Sequence, residues 1–179
     1  MGLFANYPVE EVTVSDIASA ADMTSAAVYY HFASKEQVLL EGMRHFSLQL
    51  LEETRTHSPA KGDPAGPREL VSHLLAWLKN HRVVAIVYFI NSAGLNVQVE
   101  TLRRETRIEM LAMFRKAVRS ARPSLRSGEA AVIAIALVSL LETAAVSWLK
   151  EDVAYHGLGS RRFATEVRAL ADRIVGITD

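Results

Sequence analysis

Apolar residues recur along this 179-residue chain at the spacing of helices, and no alternating stretch of convincing length interrupts them. The pattern predicts nine helices, over residues 3–6, 14–21, 25–31, 35–57, 68–80, 83–91, 97–122, 127–152 and 160–175, the first of them a stub. The run VVAIVYFI at 83–90 has the β-branched and aromatic composition of a strand and is read here as helix. Between Ala130 and Leu141 the eighth pattern is apolar nearly all round, which is how a helix covered on several sides looks. That run, flanked by Glu129 and Glu142, is too short to cross a bilayer. One linker stands out, SPAKGDPAGP at 58–67, with three of the five prolines and two of the nine glycines; Gly157-Leu158-Gly159 is expected to part the last two helices. The fold class is therefore all-α.

The densest information lies near the start. Thr13 precedes a short apolar-periodic stretch with Asp16 three residues on, close to a capping box. After a tight Ala21-Asp22-Met23 connection, Thr24 caps a second short helix, and Ser34 with Lys35-Glu36 opens a third and longer one. Cap, helix, three-residue turn, cap, helix is the order of a helix-turn-helix that reads DNA. A reading helix turns its N-terminal end toward the bases, so the residues after the cap must be small or hydrogen-bonding, as Ser25, Ala26 and Ala27 are. Ser25 suits a base edge or a phosphate, Ala27 a thymine methyl, and Tyr29, Tyr30 and His31 reach phosphate or base edges one turn on. Lys35 brings a cation to a helix N-terminus, and Thr13 and Ser15 sit at the front of another. Ile17, Ala18, Ala21, Val28 and Phe32 are spaced as the apolar seam between the three helices.

These residues also carry a resemblance. Thr13-Val14-Ser15-Asp16-Ile17-Ala18, Val28-Tyr29-Tyr30-His31-Phe32 after Thr24, and Ser34-Lys35-Glu36 are similar in order and spacing to the signature of the tetracycline-repressor (TetR/AcrR) family of bacterial regulators. The resemblance implies a helix-turn-helix DNA-binding domain over 1–46, with DNA contacts at Thr13, Ser25, Tyr29, Tyr30, His31 and Lys35, and a larger helical ligand-binding and dimerisation domain over 47–179. In that family the first helix has several turns, so Leu3-Phe4-Ala5 is expected to be its last turn, with a further segment preceding it. Pro8 stands where the family commonly has a glycine. Proline cannot adopt the left-handed φ of such a cap, so the helix is expected to end with Tyr7 extended.

Charge complicates this picture. The whole chain is neutral, but residues 1–51 hold Lys35 and Arg44 against Glu10, Glu11, Asp16, Asp22, Glu36 and Glu41, a net of −4, whereas phosphate neutralisation supplies most non-specific DNA affinity. No Arg, Asn or Gln lies in 25–32 to read a base directly, so shape and water must carry much of any specificity. With half of its residues apolar the chain can bury a substantial core. It has no cysteine, which removes disulfides and thiolate chemistry and agrees with a cytoplasmic location. The first six residues depart from a myristoylation signal at Asn6, and no charged and then apolar leader is visible.

For the larger part, the apolar helix 127–152 and the stripe Phe163, Val167, Leu170, Ile174 in 160–175 are expected to pair with their copies in a two-fold homodimer, giving two reading heads and an inverted-repeat operator. A small apolar effector is expected among Trp77, Tyr88, Phe89, Met110, Met113, Phe114 and Leu141, with Asn91 and Glu142 as polar handles. The arginine-rich helix 97–122, with Arg103, Arg104, Arg107, Arg115, Lys116, Arg119 and Arg122, is either a solvated face or a seat for an anionic ligand such as an acyl-coenzyme A. No cofactor, metal site or membrane partner is expected: phosphate loops and hydrolase motifs are missing, and the six histidines show no ligand spacing. The reading is a ligand-responsive DNA-binding regulator, most simply a repressor. The alternatives are a helical dimerisation or adaptor protein without DNA binding, and a helical enzyme.

Overall fold

A computed structural model describes residues 1–176. Among these residues there are helices and no strands: α1 (Gly2–Asn6), α2 (Val14–Ala20), α3 (Ser25–His31), α4 (Lys35–Thr56), α5 (Gly66–Asn80), α6 (Arg82–Ile86), α7 (Val97–Ala121), α8 (Ser127–Lys150) and α9 (Val153–Val175). The segment read as helix against its strand-like composition is helical, with a difference. α6 passes into a π-helical turn, Val87–Asn91, which rotates the side chains that follow relative to an ideal α-helix.

The start signals do what their chemistry dictates. Thr13 Oγ1 accepts from the amide of Asp16 at 3.2 Å, and Asp16 Oδ2 accepts from the Thr13 amide at 2.9 Å and its hydroxyl at 2.6 Å, a reciprocal capping box. Thr24 Oγ1 accepts from the Ala27 amide at 3.1 Å. Ser34 Oγ accepts from Gln37 N at 3.3 Å, while Gln37 Oε1 accepts from Ala33 N at 2.7 Å. The turn between α2 and α3 is tight enough to hold Asp22 at φ 53°, a left-handed position that a short polar side chain tolerates. Before Pro8, Tyr7 takes φ −130°, ψ 148°, the extended end that proline requires.

Reading head and body share α4. Its Leu39, Met43, Phe46 and Leu50 lie in one continuous core with Leu70, Leu74 and Leu78 of α5, Phe114 and Val118 of α7, and Leu137 and Leu141 of α8. α8 is the central helix of the body, packed against α5, α7 and α9. Taken over its full 24 residues, rather than over the apolar run alone, it is long and apolar enough to span a bilayer, but its inner face, from Ala130 to Leu149, is buried among its neighbours. Two expectations are corrected. Of the stripe expected to pair with a copy, Phe163 and Val167 are buried inside this single chain, where α9 packs on α5 and α8, while Leu170 is exposed and Ile174 half-buried. The break between the last two helices falls at Glu151, left-handed at φ 51°, and Gly159 (φ 73°, ψ 161°) instead kinks α9 from within.

Candidate nucleic-acid interface and sensing cleft

On the reading head the apolar seam turns inward and the polar side chains are left outside. Ala18 and Val28 are buried, with Ile17 and Phe32 half-buried beside them; Ala21, expected in the same seam, is exposed. Tyr29 is 57 % exposed and Tyr30 85 %, and the Tyr30 ring meets His31 edge-on with centroids 5.0 Å apart. Thr13, Ser15, Thr24 and His31 are exposed, while Ser25 and Ala27 are half-buried at the front of α3. Thr13 and Thr24 use their hydroxyl oxygens as caps, so what each offers a phosphate is limited to its remaining capacity. The Thr13 hydroxyl and amide donate to Asp16 and hold that carboxyl below the usual carboxylate range.

Lys35 is placed differently from its expected role. Its ammonium is half-buried and donates to the carbonyls of Glu10 at 2.9 Å and Val12 at 2.8 Å, tying the loop before α2 to the front of α4. It is a clamp within the head, and whatever it gives to a phosphate is what those two carbonyls leave over. Arg44, the head's other cation, lies 3.6 Å from Glu41.

In the body, the nine residues expected around an effector separate into groups. Tyr88, Phe89 and Glu142 come together, with Arg103, Arg104 and Arg107 of α7 and Val146 of α8, around a cleft of about 500 Å³. Met110, Phe114 and Leu141 are buried core residues, and Met113 packs half-buried against that core. The same helical faces that were expected to line a pocket here meet other helices, and periodicity does not tell these two outcomes apart. Trp77 stacks on Phe46 (5.6 Å) and on His81 (4.0 Å). Asn91 Nδ2 donates to the carbonyls of Phe4 at 2.9 Å and Ala5 at 3.2 Å, so it holds α1 to the body and does not face the cleft.

The cleft is charged at its rim. Arg103 Nη1 donates to the Tyr88 carbonyl at 2.5 Å, and its guanidinium lies 5.7 Å from the Tyr88 ring. Arg107 pairs with Glu142 and donates to Ser139 Oγ at 3.0 Å. Arg104 is exposed. Burial pushes the Tyr88 phenol up, so it stays neutral in the physiological range.

Sequence reading missed two features of the body. A second cleft of about 620 Å³, with Trp148, Leu75 and Phe163 as its apolar walls and Lys79, Arg161 and Arg168 at its edge, opens where α5, α8 and α9 meet. It could not be read from the chain because its walls come from three distant segments. The second feature corrects the statement that the histidines do not cluster: His57 and His73 stack with ring centroids 3.5 Å apart, and both touch Glu53.

A helix-turn-helix with capped short helices and outward-facing tyrosines, set on a helical body with an internal cleft, defines the class of a DNA-binding regulator. Residues 1–41, the reading head, match the model of "Bacterial regulatory proteins, tetR family". Over the whole length the fold is similar to that of solved regulators. The fatty acid degradation regulator FadR of Bacillus halodurans superposes with a TM-score of 0.75 at 17 % identity, covering 99 % of this chain and 94 % of its own. FadR of Bacillus subtilis in complex with stearoyl-CoA gives 0.76 at 15 % identity, with the same coverage of 99 % and 94 %. AmtR of Mycobacterium smegmatis gives 0.69 at 18 % identity, covering 99 % and 82 %. At these identities the superpositions speak to the fold alone. No curated protein matches the chain in sequence.

Proposed function

We propose that the chain is a dimeric transcriptional repressor that leaves an inverted-repeat operator when a small molecule occupies the cleft between residues 87–91, α7 and α8. Residues 1–46 read DNA, and 47–179 sense and pair. One observation carries the reading: a π-helical turn joins the cleft to the first helix of the head. Tyr88 and Phe89 of that turn line the cleft, and Asn91, at its end, holds the last carbonyls of α1. A molecule that displaces Tyr88 or Phe89 therefore acts on the anchor of the reading head.

The lining selects the effector's chemistry. Phe89, Tyr88 and Val146 suit an apolar body, and Arg103, Arg104 and Arg107 suit an anionic group that competes with Glu142 for Arg107. The effector proposed here joins the expected apolar body to an anionic group, and the stearoyl-CoA bound by the Bacillus subtilis FadR has both features. On the DNA side Tyr29, Tyr30 and His31 are the exposed contacts, supported by Thr13, Ser15 and Ser25, and Lys35 positions the loop before α2. Pairing through α8 and α9 is supported by apolar side chains that one chain leaves outside, Val132 (66 % exposed) and Ile135 (48 %) on α8 and Leu170 on α9. Action on operator DNA places the protein in the cytoplasm.

The test is fluorescence anisotropy with the DNA upstream of the protein's own gene against random competitor. Specific binding by two chains per site is expected. Tyr30→Ala should weaken it about tenfold, the loss of one good contact, with an unchanged sedimentation coefficient. Effector and operator must weaken each other by the same factor, since coupling is reciprocal. The acidic head and the engaged Lys35 favour the second reading, an adaptor without DNA binding. A folded dimer with no preference over random DNA, from the gene's own region or from a pool of genomic fragments, would establish that reading instead.

A further inference from the structure

Glu53, His57 and His73 form a cluster that the regulator reading does not use. Glu53 and His57 stand four residues apart near the end of α4 and so share one face of that helix; His73 comes from α5, on the other side of the linker. His73 Nε2 lies 2.5 Å from Glu53 Oε1, and His57 Nδ1 lies 3.3 Å from the same oxygen. One ligand atom from each residue can be chosen so that all three lie within 4.8 Å of one another. In a tetrahedral site with metal–ligand bonds of 2.0–2.1 Å, ligand atoms stand roughly 3.3 Å apart, so rotation of the two rings brings the set to ligand spacing.

We propose that Glu53, His57 and His73 bind one divalent transition-metal ion that bridges the C-terminal turn of α4 to α5. Two imidazoles and one carboxylate are a borderline donor set that suits zinc and its neighbours and does not suit calcium or magnesium, which take oxygen ligands. The three side chains are between a quarter and two-fifths exposed, which leaves the ion an entry path and water for its remaining position. The two imidazole rings lie stacked, with centroids 3.5 Å apart. Because α4 carries the reading head at its other end, the ion would fix the root of that helix to the body. Binding of the ion does not depend on whether the head binds DNA.

The experiment is calorimetric titration of the chelator-treated full chain with Zn²⁺, paralleled by Co²⁺ absorption spectra. One ion per chain is expected, with visible Co²⁺ bands of low coordination number, and zinc should raise the Tm because only the folded chain assembles the site. His73→Asn, His57→Asn and Glu53→Gln should each lower affinity at least about tenfold, given that even outer-shell changes cost that much. His45→Asn and His156→Asn, on exposed histidines outside the cluster, should leave it unchanged. Far-UV circular dichroism and Tm without metal check that every variant folds. The proposal is overturned if zinc does not bind, if the three cluster variants bind as wild type does, or if the two control variants lose the ion equally.

Discussion

Asn91→Ala isolates the joint between reading head and body. Asn91 donates two hydrogen bonds, to Phe4 O at 2.9 Å and Ala5 O at 3.2 Å, and these are carbonyls at the end of a five-residue helix that cannot satisfy them itself. Each such bond contributes about 1 kcal/mol net, and a carbonyl cut off from water would cost more. The neighbouring Asn6 and Tyr7 are exposed, so water reaches this end of α1 and the total stays near about 2 kcal/mol. That is a local opening equilibrium raised roughly 30-fold at about 1.4 kcal/mol per decade. Its reporters are the amides of Ala5 and Tyr7, which donate to Met1 O at 3.1 Å and Leu3 O at 2.9 Å only while α1 is formed. Hydrogen exchange read residue by residue should show these two amides exchanging roughly 30-fold faster in the variant, with core amides of α7 and α8 unchanged. Phe4 remains buried in the core and keeps α1 from leaving altogether. Unchanged exchange at Ala5 and Tyr7 would contradict this. The two hydrogen bonds would then not hold α1, and the route from the cleft to the head would have to run elsewhere.

Three further outcomes follow from single features. Lys35→Ala removes two charge-assisted bonds to Glu10 and Val12 carbonyls and should lower stability by about 2 kcal/mol in urea denaturation. If Lys35 is a clamp, the salt slope of DNA binding should stay as it is; a slope reduced by about one unit would reveal a phosphate contact instead. Gly159→Ala meets open space, but its φ of 73° with ψ 161° belongs to glycine, so the variant should lose about 1–3 kcal/mol, seen as a lower Tm. Glu129 accepts from the side chain and the amide of Arg126 at the front of α8, which lowers its carboxyl to about 2. A folded-state value below the unfolded one contributes stability above the ordinary carboxylate range, and this is lost as pH falls toward about 2. An NMR titration placing Glu129 at its ordinary value would contradict the capping geometry.

What was legible in the chain was local. Thr13, Thr24 and Ser34 announce their helices because a cap and its target amide are three residues apart, and Pro8 dictates Tyr7 through a clash with its nearest neighbour. What was not legible depends on which surface a helix meets. Periodicity marked Met110, Phe114 and Leu141 as inward-facing but could not say whether the space before them was cleft or core. The π-helical turn at Val87–Asn91 adds a residue to the register without any composition that signals it, and so the same strip of sequence sends Tyr88 and Phe89 to the cleft and Asn91 to α1. Glu53 and His57 were visible as a pair at four-residue spacing, whereas His73 stands 20 residues beyond Glu53 and reaches it only because the linker returns α5 to α4.

The charge of the reading head gains its meaning from the same distinction. Counting residues 1–51 gives −4, and the structure deepens the deficit, because Lys35 spends its ammonium on two carbonyls and Arg44 lies beside Glu41. Each phosphate neutralised by a cation adds about 0.9 to the salt slope on duplex DNA, so the contacts proposed for Tyr29, Tyr30, His31 and hydroxyls would add little to it. These residues therefore bind, if they bind alone, with a shallow salt dependence and weak affinity for random sequence, because nothing in them attracts phosphate from a distance. On the proposed function, affinity would come from fit at close range and from two heads held at one spacing. Such a head would be easily released: with little non-specific attraction to retain it, a small shift in the spacing of the proposed pair would separate it from DNA. The acidic head and the Asn91 hydrogen bonds between the cleft's π-helical turn and α1 are what that proposal draws together: weak, geometry-dependent contacts would make the regulator sensitive to the position of a short helix.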